Sequence, residues 1–150
     1  MKQKKWDKRF KKLAKYTSRW SKDKIKVGAI VVSKRRTVVA LGYNGFPVGV
    51  EDSAERLSNQ DKKLDMIVHA EVNALISAGS KAEGGTIYVW GKPVCSRCAG
   101  LIIQAGITRV VALNPYPERK DSKWRKTGKI ALEMFVESEI KFDLYENGDY

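Results

Sequence analysis

The stretch GTIYVWGKPVCSRCAGLIIQAGITRVVAL, residues 85–113, decides the fold. Apart from its opening glycine, residues 85–90 are all β-branched or aromatic, the composition of a strand. Gly91 and Pro93 break that strand, and Cys95-Ser96-Arg97-Cys98 opens a helix over 96–105 that Gly106 stops. TRVVAL at 108–113 is a strand again. Strand, helix and strand in so short a span make a βαβ unit, whose crossover is expected to be right-handed.

Working outward, 114–122 (NPYPERKDS) reads as a loop, 124–137 as a helix and 140–145 as a further strand. Upstream, IKVGAIVVS at 25–33 and TVVALGY at 37–43 read as a hairpin turning at Lys34-Arg35-Arg36. Asn44-Gly45-Phe46-Pro47 ends the second strand. A polar segment over 45–61 is too long for a simple connection, and long loops in compact domains tend to carry function. One helix is expected over 62–78, with His69-Ala70-Glu71 near its middle or at its effective start. Trp6, Phe10, Leu13 and Ala14 recur at helical spacing with lysines on the other faces, so 4–19 reads as an amphipathic helix. The order calls for an α/β fold: a mixed five-stranded sheet with helices on both faces, in one domain over 1–150.

The 150 residues suffice for a real core. No apolar run is long enough to span a bilayer, and the basic N-terminus lacks the apolar segment of a signal peptide, so a cytoplasmic location and no membrane partner are expected. The net charge of +12 attracts anions, with lysine and arginine densest at 2–26 and 119–129. Charge alone does not choose between a small phosphorylated substrate and a nucleic acid.

Chemistry concentrates in His69-Ala70-Glu71 and the CxxC, which use the single histidine and both cysteines of the chain. His69, Cys95 and Cys98 form a three-donor set for zinc, and a structural zinc would normally take four protein ligands. Water is therefore expected in the fourth position, with Glu71 placed to shuttle its protons. A lone CxxC also serves thioredoxin-like redox chemistry, but that reading needs no partner His-Ala-Glu. Here one βα unit can bring both helix N-termini to one sheet edge, which favours thiolate over thiol. Zinc is the preferred reading.

H-x-E followed by P-C-x-x-C is the zinc deaminase signature. The chain resembles the cytidine deaminase superfamily and, within it, the deoxycytidylate (dCMP) deaminases. Beyond the metal motif, the likeness is carried by Ser21-Lys22-Asp23, Gly42-Tyr43-Asn44-Gly45-Phe46-Pro47, His69-Ala70-Glu71-Val72-Asn73-Ala74 and Ile102-Ile103-Gln104-Ala105-Gly106-Ile107. One departure is Val94 directly before the first cysteine, where the family has proline; Pro93 stands one position earlier.

The resemblance implies a three-layer αβα sandwich and hydrolytic deamination of dCMP to dUMP and ammonia. It implies one catalytic Zn2+ per subunit, held by His69, Cys95 and Cys98, with Glu71 as the proton carrier. Asn44 would contact the sugar and base edge, and the Ala70 N–H the pyrimidine carbonyl. Asn73 could buttress the site. Arg35, Arg36, Arg97, Arg119 and Lys120 are candidates for the phosphate, with Arg119 preferred. Many enzymes of this branch are hexamers regulated by dCTP and dTTP, which implies a homo-oligomer and an effector pocket near Lys22, Asp23, Gly45 and Pro47, with Mg2+ accompanying a triphosphate. The competing reading is a deaminase of tRNA adenosine or single-stranded DNA cytosine, with Trp90, Tyr116 and Trp124 as stacking candidates, or of another free cytosine nucleoside or nucleotide. The motif blocks speak against nucleic acid as the substrate.

Overall fold

The computed structural model describes residues 2–116 and 123–148. The elements run α1 (Lys2–Ser18), β1 (Gly28–Val32), β2 (Val38–Tyr43), α2 (Ala54–Ser58), α3 (Gln60–Met66), α4 (Ala70–Ala78), a 3-10 turn (Gly79–Ala82), β3 (Thr86–Trp90), α5 (Ser96–Gln104), β4 (Arg109–Leu113), α6 (Lys123–Glu137) and β5 (Lys141–Tyr145). The strands form one sheet in the order β2-β1-β3-β4-β5. β1 pairs antiparallel with β2 and β3, and β3, β4 and β5 run parallel. The mixed five-stranded sheet of the sequence reading is observed.

Alternate residues along each strand serve different layers, as the pleat requires. Ile30, Val32, Tyr88, Val111 and Tyr145 pack with Phe10 and Ala14 of α1 on one face. Ala29, Val31, Ile87, Val89, Val110 and Ala112 pack on the other, against α4, α5 and α6. β1 is therefore buried at every position, which is why its sequence shows an apolar run rather than an alternation. Two glycines set the approach of the layers. A Cβ on Gly28 would lie 2.0 Å from the Ala14 carbonyl oxygen of α1, and one on Gly42 would lie 2.5 Å from that of Ala70 in α4. The tip of α4 thus rests directly on β2.

The expected helix over 62–78 is two helices. Val68 pairs with Gly45 through two backbone hydrogen bonds of 2.8 and 3.1 Å, drawing 67–69 into extended backbone. The β-branched pair Ile67-Val68 suits that conformation. His69 consequently caps α4, so the His-Ala-Glu motif stands at a helix start and not near a helix middle. The polar segment 45–61 is not one loop either, since Ser53 caps the short α2 by accepting from the Arg56 N–H. β1 begins at Gly28, later than expected, and the Asn44 side chain bonds the Val27 N–H and the Ile25 carbonyl ahead of it. Most of the predicted loop 114–122 lies outside the described residues, as do Arg119 and Lys120.

An ion pair locks α1 to the sheet. Arg109 of β4 donates to both Asp7 carboxylate oxygens, at 2.9 and 2.7 Å, and Tyr88 donates to the same carboxylate at 2.7 Å. Burial works against the Asp7 charge, but the bonds from Arg109, Tyr88 and Gln3 together hold its carboxyl below the ordinary value. Asp7→Asn is expected to cost about 2 kcal/mol in urea unfolding at neutral pH. A depressed carboxyl stabilises the fold above its unfolded pKa of about 3.9 and loses that effect as pH falls through its folded pKa. The gap between wild type and variant should therefore close in acid; a gap that persists there would show that the charge is not its source.

Candidate active site

The three sulfur and nitrogen donors meet because two helices begin at the same edge of the sheet. His69 is the N-cap of α4 and Cys95 the N-cap of α5. His69 Nδ1 lies 3.2 Å from Cys98 Sγ and 3.5 Å from Cys95 Sγ, and all three donor atoms fall within 4.8 Å of one another. Zn–S bonds of ~2.3 Å and Zn–N of ~2.0 Å in a tetrahedron separate donors by about 3.5–3.8 Å, so the set fits zinc. Among the described residues no fourth histidine, cysteine or carboxylate joins the group. That is the donor count of a catalytic site with one position open.

The cysteines are buried, at 5% and 1% exposure. Cys95 Sγ accepts the Cys98 N–H in the first turn of α5. The bond from the Cys98 thiol, then the bond to His69, hold the Cys95 thiol well below its usual range, while the bond to Cys95 and burial push Cys98 up. A divalent cation would take both sulfurs as thiolates and the imidazole as neutral, so its binding would release protons. His69 is raised, chiefly by its bond to Cys95 and against the effect of burial. Val94, standing where the family has proline, is 4% exposed and anchored in the core beside Cys95. Packing holds the turn that a proline ring would otherwise stiffen. Ser96 adds a tie to α6, its N–H bonding Thr127 Oγ1 at 2.8 Å.

Glu71 lies in the first turn of α4, 4% exposed. Burial raises its carboxyl, with the His69 charge opposing. A buried acid with a raised pKa beside a metal site is suited to carrying a proton near neutral pH. His69, Glu71 and Cys95 line a cavity of about 240 Å³. Ala70, the first residue of α4, lines it too, and no earlier turn of that helix uses its N–H.

Other expected residues divide. Asn44 lines the cavity, but its side-chain oxygen accepts the Val27 N–H and its amide donates to the Ile25 carbonyl, both at 2.9 Å. Asp23 also faces the cavity and pairs with buried Lys63 at 3.1 Å. Lys22 bonds Asp52 at 2.9 Å, while Pro47 is exposed and Gly45 is held by Val68. Asn73 donates to the Tyr43 carbonyl at 2.8 Å, fastening α4 to β2. Arg35 and Arg36 line a different cavity beside Thr108 and Arg109, and Arg97 is exposed. Of the aromatic candidates, Trp124 reaches the catalytic cavity, its ring 6.1 Å from that of His69. Trp90 stacks on Tyr145 instead.

Among the described residues the lysines lining the cavity are Lys24, Lys63 and Lys92, none of which the sequence reading proposed. Lys92 lies 3.6 Å from the centre of the Trp124 ring, and burial lowers its pKa. Its place between β3 and the CxxC was the one available signal.

A three-donor metal site with a buried carboxylate at its side, on an αβα sheet, defines a metal-dependent hydrolase. The family model for the cytidine and deoxycytidylate deaminase zinc-binding region matches residues 4–114, and the chain belongs to this family. It is 38% identical over 141 residues to an uncharacterized deaminase in the luxG 3′ region of Aliivibrio fischeri, covering 91% of each chain. It is 40% identical over 136 residues to a probable deoxycytidylate deaminase of Caenorhabditis elegans, covering 85% of this chain and 68% of that one. A solved structure of dCMP deaminase from the cyanophage S-TIM5 superposes with a TM-score of 0.68 over 93% of this chain and 96% of the other; at 24% identity the likeness is one of fold.

Proposed function

We propose that the chain hydrolyses dCMP to dUMP and ammonia. The observation that carries this reading is the burial of Glu71 beside the His69–Cys95–Cys98 group, at a cavity that lysines also line. The name of the Caenorhabditis elegans relative supports the same substrate. A zinc ion held by the three donors supplies Lewis acidity that makes water a competent nucleophile at neutral pH. The Ala70 N–H, at the positive end of α4, fixes the pyrimidine carbonyl. Ile25, Val27, Leu64 and Trp124 provide apolar walls for the base. Glu71 takes one proton from the attacking water and gives it to ring N3, then takes the proton of the hydroxyl formed at C4 and passes it to the amine, which leaves as ammonia as the C4 carbonyl forms.

Lys92, held against Trp124, and Lys24 at the rim are the proposed phosphate contacts. Lys63 is committed to Asp23. Asn44 braces the wall on which the sugar rests. Mass spectrometry of zinc-loaded protein with dCMP, deoxycytidine and dCTP tests the reading. Turnover of dCMP well above that of deoxycytidine is expected, and Lys92→Gln should raise KM for dCMP about tenfold with little change for deoxycytidine. Equal turnover of the two would remove the phosphate from the substrate. The same assay with added dCTP, dTTP and Mg2+ tests regulation through the Lys22, Asp23, Gly45 and Pro47 region, and sizing the protein tests the proposed hexamer.

A further inference from the structure

We propose that the outer face of α1 is a docking surface for single-stranded polynucleotide, separate from the catalytic cavity. Residues 2–19 hold nine lysines and arginines and a single acid, Asp7, so most of the net charge of +12 sits on this element. Asp7 does not offset it outward, because its carboxylate is turned to Arg109 and Tyr88. The apolar stripe is already used: Phe10 and Ala14 are buried against the sheet. Flanking that stripe on one side Lys5, Arg9, Lys12, Tyr16 and Arg19 follow at spacings of three and four, all exposed, with the Arg9 guanidinium over the Trp6 ring. Among the described residues, no ion pair engages the four cations of this line.

The row ends in an aromatic group. Tyr16 is 57% and Trp20 50% exposed. Trp20 meets Tyr16 and Tyr43 edge-on, with ring centres 6.1 and 6.0 Å apart, which holds the rings in place without covering them. Cations that track a backbone, beside fixed exposed rings on which bases stack, are the two parts of a single-strand site. From Lys5 to Arg19 the helix rises about 21 Å, the span of about six nucleotides at ~3.4 Å each. A bilayer fits less well, because α1 has no free apolar face to insert. A duplex leaves the rings without unpaired bases.

The test is fluorescence anisotropy of a labelled oligothymidylate, which carries no cytosine, titrated with the zinc-loaded protein between about 50 and 200 mM salt. Binding should weaken with salt at a log–log slope of about −3 for four phosphate contacts at ~0.7 each. Lys5→Glu/Arg9→Glu/Lys12→Glu should lower affinity at least tenfold and flatten the slope, with folding confirmed by circular dichroism. Tyr16→Ala/Trp20→Ala should lower affinity about tenfold with the slope kept. Glu71→Gln should bind like wild type, which separates this surface from the catalytic one. Affinity unchanged in the triple variant, tighter binding to duplex, or binding to anionic phospholipid vesicles alone would overturn the proposal.

Discussion

Glu71→Gln is expected to lower kcat for deamination on the order of 10³-fold while the protein stays folded and keeps its zinc. Glutamine preserves the volume of a side chain that is 4% exposed, so packing at the tip of α4 is undisturbed. What it removes is the ability to accept one proton and release it elsewhere. Deamination needs that transfer in more than one step, because water must lose a proton while the ring nitrogen and the departing amine gain protons. Asp23, the other carboxylate lining the cavity among the described residues, is engaged by Lys63 at 3.1 Å and gives no ready substitute. Burial raises the Glu71 carboxyl, which brings its proton affinity toward neutral pH, where both directions of transfer are accessible. Since the group acts on the reacting atoms, kcat and kcat/KM should fall together and KM should hold. Steady-state kinetics with metal analysis on the same preparation checks this. Activity within tenfold of wild type would assign the proton transfer to another group.

Much of the architecture was legible because its signals are local. The run GTIYVW, the CxxC turn, the stop at Gly106 and the run TRVVAL each read within a few residues, and together they dictated β3, α5 and β4. The donor set was legible for a different reason: one histidine and two cysteines leave few ways to build a metal site. Features that depend on distant partners were not legible. Nothing near Val68 announces that Gly45, 23 positions earlier, will draw its backbone into a bridge, and so one helix was expected where two exist. Lys63 and Asp23 are likewise 40 positions apart, and only the excursion through α2 and α3 brings that lysine to the cavity. Two of the phosphate candidates, Arg35 and Arg36, lie away from the cavity for a similar cause. Arg35 and Arg36 form the tip of the β1–β2 hairpin, and an antiparallel hairpin puts its turn at the opposite end of the sheet from Val27 and Asn44.

Cys98→Ser should strip zinc from the protein and with it most of the stabilisation that zinc gives, while leaving a folded apo chain. The argument turns on how the site is held. Cys98 is 1% exposed at the start of α5, and the α5 core contacts of Ala99 and Ile102 do not depend on the metal. Serine keeps the size and the hydrogen-bonding role beside Cys95 but is a poor ligand for a borderline-soft ion. If a structural site of four donors is worth roughly 10–16 kcal/mol, losing one thiolate of three costs at least about 3 kcal/mol, on the order of 100-fold in affinity. Wild type should carry close to one equivalent of zinc, lose thermal stability when a chelator removes it, and regain it on adding zinc back. The variant should retain little metal after dialysis and respond weakly to both treatments, because a ligand stabilises only in proportion to its binding. Near-stoichiometric zinc in Cys98→Ser, with an unaltered response to chelator, would mean that the ion sits elsewhere. The catalytic reading of Glu71 would fall with it, because that carboxylate is suited to its role only through its place beside these three donors.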